Sequence, residues 1–391
     1  MSAAQDFSTR AVHAGRDLNE TSGVSAPIWQ TSTFKLPDAA AGARFGAEVA
    51  PAEFYTRLGN PTVKLLEAAL ASLEGGEAAL AFSSGMGAIA ALLFSNLAAG
   101  DHAVFGRALY ATTTEVAQKL FPRYGVKADF VDASDLAALR RAVRPETRMI
   151  YVESPTNPTL EICDLDGVAA VAKEKGVLAV IDNTFASPYN QNPLRHGFDV
   201  VVHSMTKSIG GHSDLTGGAV IGRKEIVERA WQYLKLFGAN LSPFEAWLAL
   251  RGIKTLAVRA ARQGETALEV ARFLRGHRAV ARVHYPGLEE HPGHALARRQ
   301  MRTFGSMISF EVSGGYAAAV QVIESVRLIT LAVSLGGCES LMNHPASMIA
   351  GKLGEEALRL SGITPGLVRF SIGLEAPPDL IADLEQALAR C

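Results

Sequence analysis

Seven short apolar runs, at 78–82, 102–105, 128–131, 149–152, 178–181, 200–203 and 219–221, alternate along this chain with stretches of helical periodicity such as 62–73, 86–97 and 165–175. Runs of that length, apolar throughout, suit strands covered on both faces, and the helical stretches between them supply the cover. The pattern predicts an α/β fold with a mostly parallel seven-stranded sheet and helices on both faces. Sheets of this kind bind ligands at the carboxyl ends of their strands. Ser154, Asp182, Ser204 and Lys207 fall at or just past such ends.

The rest of the chain divides around this region. Residues 1–59 contain Pro27, Pro37 and Pro51 and show no sustained period, which predicts an extended arm rather than a core. Asn60 then offers an N-cap and Pro61 a first-turn proline, opening a ligand-binding domain over 60–242. One long helical stretch from 243 to about 280 is expected to bridge to a smaller α+β C-terminal domain over 243–391. That domain reads as strand 282–285, helix 295–302, strand 307–312, helix 316–325, strand 368–372 and closing helix 379–389.

Composition removes several classes of function. With 48% hydrophobic and 20% charged residues, the 391-residue chain can bury a sizeable core. A net charge of -1 leaves no electrostatic footprint for nucleic acid or an anionic membrane. No apolar run reaches the roughly 20 residues of a membrane span. Cys163, Cys338 and Cys391 are odd in number and far apart. With a polar start at Met1-Ser-Ala-Ala-Gln, they lead to the expectation of a cytoplasmic protein.

Chemistry concentrates on three segments. Lys207 follows the apolar run Val200-Val-Val-His-Ser-Met-Thr, and a lysine leaving a buried strand end has its pKa lowered, which makes it a nucleophile for an aldehyde. Asp182 ends another apolar run and suits a partner for a protonated ring nitrogen, although an acid there can also cap a loop. Ser83-Ser-Gly-Met-Gly87 opens an apolar helix, and its free N–H groups suit a phosphate. Together they point to pyridoxal 5'-phosphate as cofactor. Gly85-Met-Gly-Ala-Ile-Ala90 also fits a loose dinucleotide fingerprint, but no strand-end acid follows about 20 residues on. Ser204-Met-Thr-Lys207 has the SxxK form of acylating serine enzymes, but the SDN and KTG partners are missing. Ser204 and Thr206 fit better as hydroxyl donors to phosphate.

Other residues carry weaker signals. Tyr110 follows a strand and could stack on a ring and move a proton, or simply pack. Arg369 is a charge inside an apolar strand, requiring an internal anion or a substrate carboxylate. His284, His291 and His294 fit no standard metal spacing, and their Pro-Gly pairs predict a surface loop. No metal is expected.

Several of these segments, in this order, resemble the cysteine and methionine metabolism (trans-sulfuration) family of pyridoxal-phosphate enzymes, which includes methionine γ-lyase and cystathionine γ-lyase. They are Tyr55-Thr-Arg-Leu-Gly-Asn-Pro-Thr62, Ser84-Gly-Met-Gly87, Glu153-Ser-Pro-Thr-Asn-Pro158, Asp182-Asn-Thr184, His203-Ser-Met-Thr-Lys207, Ser334-Leu-Gly336, His344-Pro-Ala-Ser347 and Arg369-Phe-Ser-Ile-Gly373. The resemblance implies the aspartate-aminotransferase-like fold (fold type I), usually as a homotetramer of two catalytic dimers. It implies that Lys207 forms the Schiff base with the cofactor and that Asp182 pairs with the ring nitrogen. Ser84, Gly85, Met86, Ser204 and Thr206 would bind phosphate, helped by Tyr55 and Arg57 from the arm of a neighbouring subunit. Tyr110 would stack on the ring, and Asn157, Ser334 and Arg369 would orient the substrate carboxylate.

The implied activity is γ-elimination on methionine or cystathionine, giving 2-oxobutanoate, ammonia and a thiol. Alternatives are γ-replacement, as in O-acetylhomoserine sulfhydrylase or cystathionine γ-synthase, and amino transfer. Relatives acting on cystathionine often carry glutamates where this chain has Phe54 and Val333, apolar walls better suited to a thioether. Methionine γ-lyases, in turn, tend to have cysteine at Thr112 and glycine at Ala111, and Ser208 replaces a frequent tyrosine.

Overall fold

The computed structural model describes residues 5–348 and 362–391. Seven strands form one sheet: β1 (Ala78–Phe82), β2 (His102–Gly106), β3 (Lys127–Val131), β4 (Thr147–Glu153), β5 (Leu178–Asp182), β6 (Val200–Ser204) and β7 (Gly218–Gly222). Their order is β1-β7-β6-β5-β4-β2-β3, and β7 alone runs against its neighbours. The expected α/β fold is therefore present, each strand coinciding with one of the seven apolar runs. Fully buried Leu92, Phe105, Met149, Tyr151, Val180 and Val202 pack one face against helices Gly85–Asn96 and Lys224–Phe237. Ile150, Val152, Val168, Val171 and Ile181 fill the other, under helix Leu165–Lys175. Each such aliphatic or aromatic side chain stabilises the sheet by roughly 1.5–3 kcal/mol.

A second sheet has the order β10-β11-β12-β9-β8, from β8 (Val280–His284), β9 (Met307–Val312), β10 (Thr330–Leu331), β11 (Leu341–Asn343) and β12 (Leu367–Ser371). Ile308, Phe310, Val368 and Phe370 face Val322 and Leu384 of the covering helices. The two sheets meet where Ser309 Oγ, on β9, donates to Pro158 O at 2.6 Å.

Two expectations need correction. The first 59 residues contain helices Phe7–His13 and Ala39–Ala47, capped by Asp6 and Asp38. Phe7 and Ala11 are buried against Leu66 and Leu70 of helix Pro61–Glu74, so the arm's start belongs to its own chain's core. The bridge from 243 is two helices, Pro243–Ile253 and Leu256–Gly276. The break follows from packing: a Cβ on Gly252 would lie 2.2 Å from Gly210 O, and Arg259 Nη2 takes the Gly252 carbonyl at 2.7 Å.

Candidate active site

Three strand ends and one helix start converge. Ser84 caps helix Gly85–Asn96, its Oγ accepting from Gly87 N at 3.0 Å. The N–H groups of Gly85 and Met86 have no partner within the helix, as expected of a first turn. Ser204, at the end of β6, lies against them: a Cβ on Gly85 would come within 2.9 Å of Ser204 Cβ. Only glycine allows that approach. Thr206 Oγ1 accepts from Gly217 N at 3.1 Å and stands on the turn after β6. The result is an anion cradle of two open amides, two hydroxyls and a helix dipole.

Lys207 follows in the same turn, its Nζ donating to Ser334 Oγ at 2.6 Å. Burial pulls its ammonium down to about 8, and the charge of Arg369 adds to the shift. Ser334 adopts φ 82, a left-handed conformation unusual for serine. It is held by Lys207 on its hydroxyl and by Arg369, whose Nη2 donates to Ser334 O at 3.0 Å. Gly336, just beyond, has φ +75, and a Cβ there would lie 2.7 Å from Ser208 N. The other arm of Arg369, Nη1, donates to Asn157 Oδ1 at 3.0 Å. Among the described residues no carboxylate forms an ion pair with Arg369, and desolvation lowers its pKa to about 10. This fork is held by neutral acceptors.

Asp182, at the end of β5, is buried, and burial raises its pKa above the usual carboxylate value. Thr184 N donates to its Oδ1 at 3.0 Å, and this bond and nearby His203 pull the other way. Beside it in register sits Glu153 on β4, also buried and raised well above its ordinary value, first by burial and then by Asp182. Glu153 Oε2 accepts from Tyr110 N at 2.9 Å, which fixes the loop carrying Tyr110. The Tyr110 side chain is 44% exposed, and the residue heads the short helix Ala111–Glu115 that contains Thr112.

Thus Ser84, Gly85, Met86, Tyr110, Asn157, Asp182, Ser204, Thr206, Lys207, Ser334 and Arg369 come together, with Thr112 and Val333 as chain neighbours. Val333 is largely exposed. Tyr55, Arg57 and Phe54 do not join them within one chain. Arg57 Nη1 donates to Lys235 O at 2.5 Å beneath the Tyr55 ring, and Phe54 packs near Phe45. Sequence reasoning missed Glu153 as a site residue, although an acid closing an apolar run was its visible signal. It also missed buried Glu74, whose Oε1 meets His203 Nε2 at 2.5 Å and Asn183 Nδ2 at 2.8 Å.

The expected histidine loop is present over 285–293 but holds only His291, which burial lowers to about 4; His284 closes β8, bonded to Glu311 Oε1 at 2.8 Å, and His294 opens helix His294–Gln300. A cleft of about 850 Å³ lies instead at the amino ends of the strands. Its arginines Arg148 and Arg223 are paired with Asp101 and Asp199, and Arg229 bonds to Asn96.

An anion cradle, a partly neutral lysine and a buried acid at neighbouring strand ends fit pyridoxal 5'-phosphate: phosphate at the helix, aldehyde at Lys207, ring nitrogen at Asp182. Fold and site together define a fold type I pyridoxal-phosphate enzyme. The chain belongs to the Cys/Met metabolism PLP-dependent enzyme family, whose pattern it matches over residues 8–389. It is 46% identical over 385 residues to an L-methionine gamma-lyase of Fusobacterium nucleatum subsp. polymorphum, covering 98% of each chain. It is 45% identical over 382 residues to a cystathionine gamma-synthase of Mycobacterium bovis, covering 97% of this chain and 96% of the other. The cystathionine gamma-lyase of Lactobacillus plantarum complexed with L-serine superposes with a TM-score of 0.92 at 39% identity, over 98% of this chain and 99% of that one.

Proposed function

We propose that this enzyme is a carbon–sulfur lyase that carries out γ-elimination on methionine or cystathionine. The observation that carries the reading is the Lys207–Ser334–Arg369 arrangement: Ser334 links a base of about 8, on its hydroxyl, to a carboxylate fork, on its carbonyl, that has no carboxylate partner among the described residues. Likeness to methionine γ-lyases over nearly the whole chain supports the choice of substrate. Apolar Val333, and Phe54 brought with Tyr55 on the arm of a second copy, would favour a thioether over a second charged group.

Arg369 and Asn157 would hold the substrate carboxylate, and Ser334 would keep its α-carbon beside Lys207 Nζ. Bound pyridoxal phosphate supplies an aldehyde for the substrate amine and a cationic ring that takes up the electron pair left at the α-carbon. Asp182 would keep that ring nitrogen protonated, and Ser84, Gly85, Met86, Ser204 and Thr206 would hold the phosphate. Lys207, its amine free once substrate is bound, would take the α-proton. After releasing that proton, Lys207 would accept a second one from the β-carbon, and the Tyr110 hydroxyl would protonate the departing sulfur as the γ-carbon–sulfur bond breaks. Water then completes the balance, giving 2-oxobutanoate, ammonia and thiol.

Tyr55 and Arg57 are proposed to reach the phosphate of a second copy of the chain, in a tetramer of two catalytic dimers. Exposed Val24, Trp29, Leu236 and Phe237 support such association. The second reading is γ-replacement, favoured by the 45% identity to a cystathionine gamma-synthase. Incubation with methionine, with cystathionine, and with O-acetylhomoserine plus sulfide separates the two. The lyase releases 2-oxobutanoate from the first two substrates; homocysteine and acetate formation from the third far outrunning that release would identify a transferase.

A further inference from the structure

Tyr151 is fully buried, yet its hydroxyl has no hydrogen-bond partner. Thr113 Oγ1, also buried, is unpartnered too. Two orphaned hydroxyls in one place are unusual, because a buried O–H without an acceptor costs stability. Strand geometry explains where they point. Tyr151 and Glu153 are two apart on β4, hence on one face. β4 pairs with β5 so that Tyr151 faces Val180 and Glu153 faces Asp182. The Tyr151 hydroxyl is therefore directed along the sheet toward the Asp182 carboxylate, and Asp182 and Thr113 are its polar neighbours. Asp182 Oδ1 accepts from Thr184 N at 3.0 Å, and the hydroxyls of Thr184 and Tyr151 lie close enough to act on the same carboxylate. Burial disfavours a charge on Asp182, and Thr184, His203 and Tyr151 favour one.

We propose that Tyr151 is a positioning residue for the cofactor: when a cationic ring draws Asp182 into its ionised form, Tyr151 Oη donates to that carboxylate and Thr113 Oγ1 donates to Tyr151 Oη. The chain Thr113–Tyr151–Asp182 thus keeps the acid charged from below while the ring nitrogen meets it from above. Charge-assisted bonds of this kind are the strong ones. Without cofactor these hydroxyls face Asp182 and each other but form no well-made bond; with it they are satisfied.

This inference rests on the pyridoxal-phosphate site proposed above, and Tyr151→Phe tests it on the full-length protein. Phenylalanine keeps the ring that packs 5.6 Å from Phe105. Three readouts apply: melting temperature of the cofactor-free protein, affinity for pyridoxal phosphate by titration, and the pH at which the visible band of the bound cofactor changes. The cofactor-free variant should melt at or above the wild-type temperature, because an idle hydroxyl has been removed. Its affinity for pyridoxal phosphate should fall about tenfold or more, the scale of one hydrogen bond to a charged group. The absorbance transition should move to higher pH, since a less firmly protonated ring withdraws less charge from the lysine linkage. Thr113→Val should weaken binding in the same direction by less, and serves if Tyr151→Phe does not fold. Unchanged cofactor affinity, or a cofactor-free variant several degrees less stable, would overturn the proposal. Assaying both variants for 2-oxobutanoate keeps the questions apart. Weakened cofactor binding in a protein that never releases the keto acid would leave the Tyr151 role standing and remove the lyase reading. Full affinity in an active lyase would do the reverse.

Discussion

A buried amine and a buried carboxylate both lose their charge most easily away from water, yet this site needs the first neutral and the second ionised. Burial lowers Lys207 to about 8 and the Arg369 guanidinium pushes the same way, whereas Asp182 depends on Thr184 and His203 against its own burial. The sign is clear for cofactor capture: the neutral amine is the reactive form. Capture by cofactor-free protein should rise as pH increases through about 8 and then level off. In Arg369→Gln the midpoint should move upward, because one of the two causes is gone. A stopped-flow absorbance series over pH checks both. Arg369→Lys keeps the charge but loses the fork, so KM should rise about 10- to 100-fold with a smaller change in kcat, the worth of a charged hydrogen bond. Lys207 and Asp182 were legible because each closes an apolar strand where sheets of this class bind ligands. Glu153 closes such a strand too and was passed over; Tyr151 was not legible, because its role depends on strand register, which β4 and β5 acquire only by pairing.

At the scale of elements, apolar periodicity located all seven strands of the first sheet and helices Pro61–Glu74, Gly85–Asn96 and Leu165–Lys175, but not helix Lys224–Phe237. Strands β10 and β11 escaped it, since two and three residues are too few to show a period. The helix break escaped it for another reason: periodicity runs straight through 254–255, whereas the bonds of Thr255 and Arg259 to the Gly252 carbonyl and the close approach of Gly252 to Gly210 exist only in the folded chain. This gives a test with opposite signs. In an uninterrupted exposed helix Gly→Ala stabilises by about 1 kcal/mol. Gly252→Ala here should destabilise by about 1–3 kcal/mol through overpacking, readable as a lower urea midpoint at unchanged slope.

For the whole molecule, the arm is the element least explained by its own chain. Its first helix is buried against helix Pro61–Glu74, but Val24, Trp29 and Tyr55 remain exposed, and Arg57 lies away from the cradle it is proposed to serve. No sequence period could indicate this, because a partner's surface leaves none. If the arm acts on a second copy, two defective variants should complement. Lys207→Ala alone should lose at least about a hundred- to ten-thousandfold in turnover, the range for a missing acid–base group. Arg57→Ala should be impaired through weak cofactor binding. Mixed and re-assembled, they should recover activity toward roughly a quarter of wild type, because half the dimers would be mixed and each would hold one intact site. A mixture no better than its components would confine the arm to its own subunit.

The central claim is that the Lys207 amine holds the cofactor covalently. Borohydride reduction of the protein with bound pyridoxal phosphate, followed by peptide mass mapping, tests it most directly. The pyridoxyl phosphate mass should appear on the peptide containing Lys207 and disappear in Lys207→Ala; a label on another lysine, or none, would contradict it.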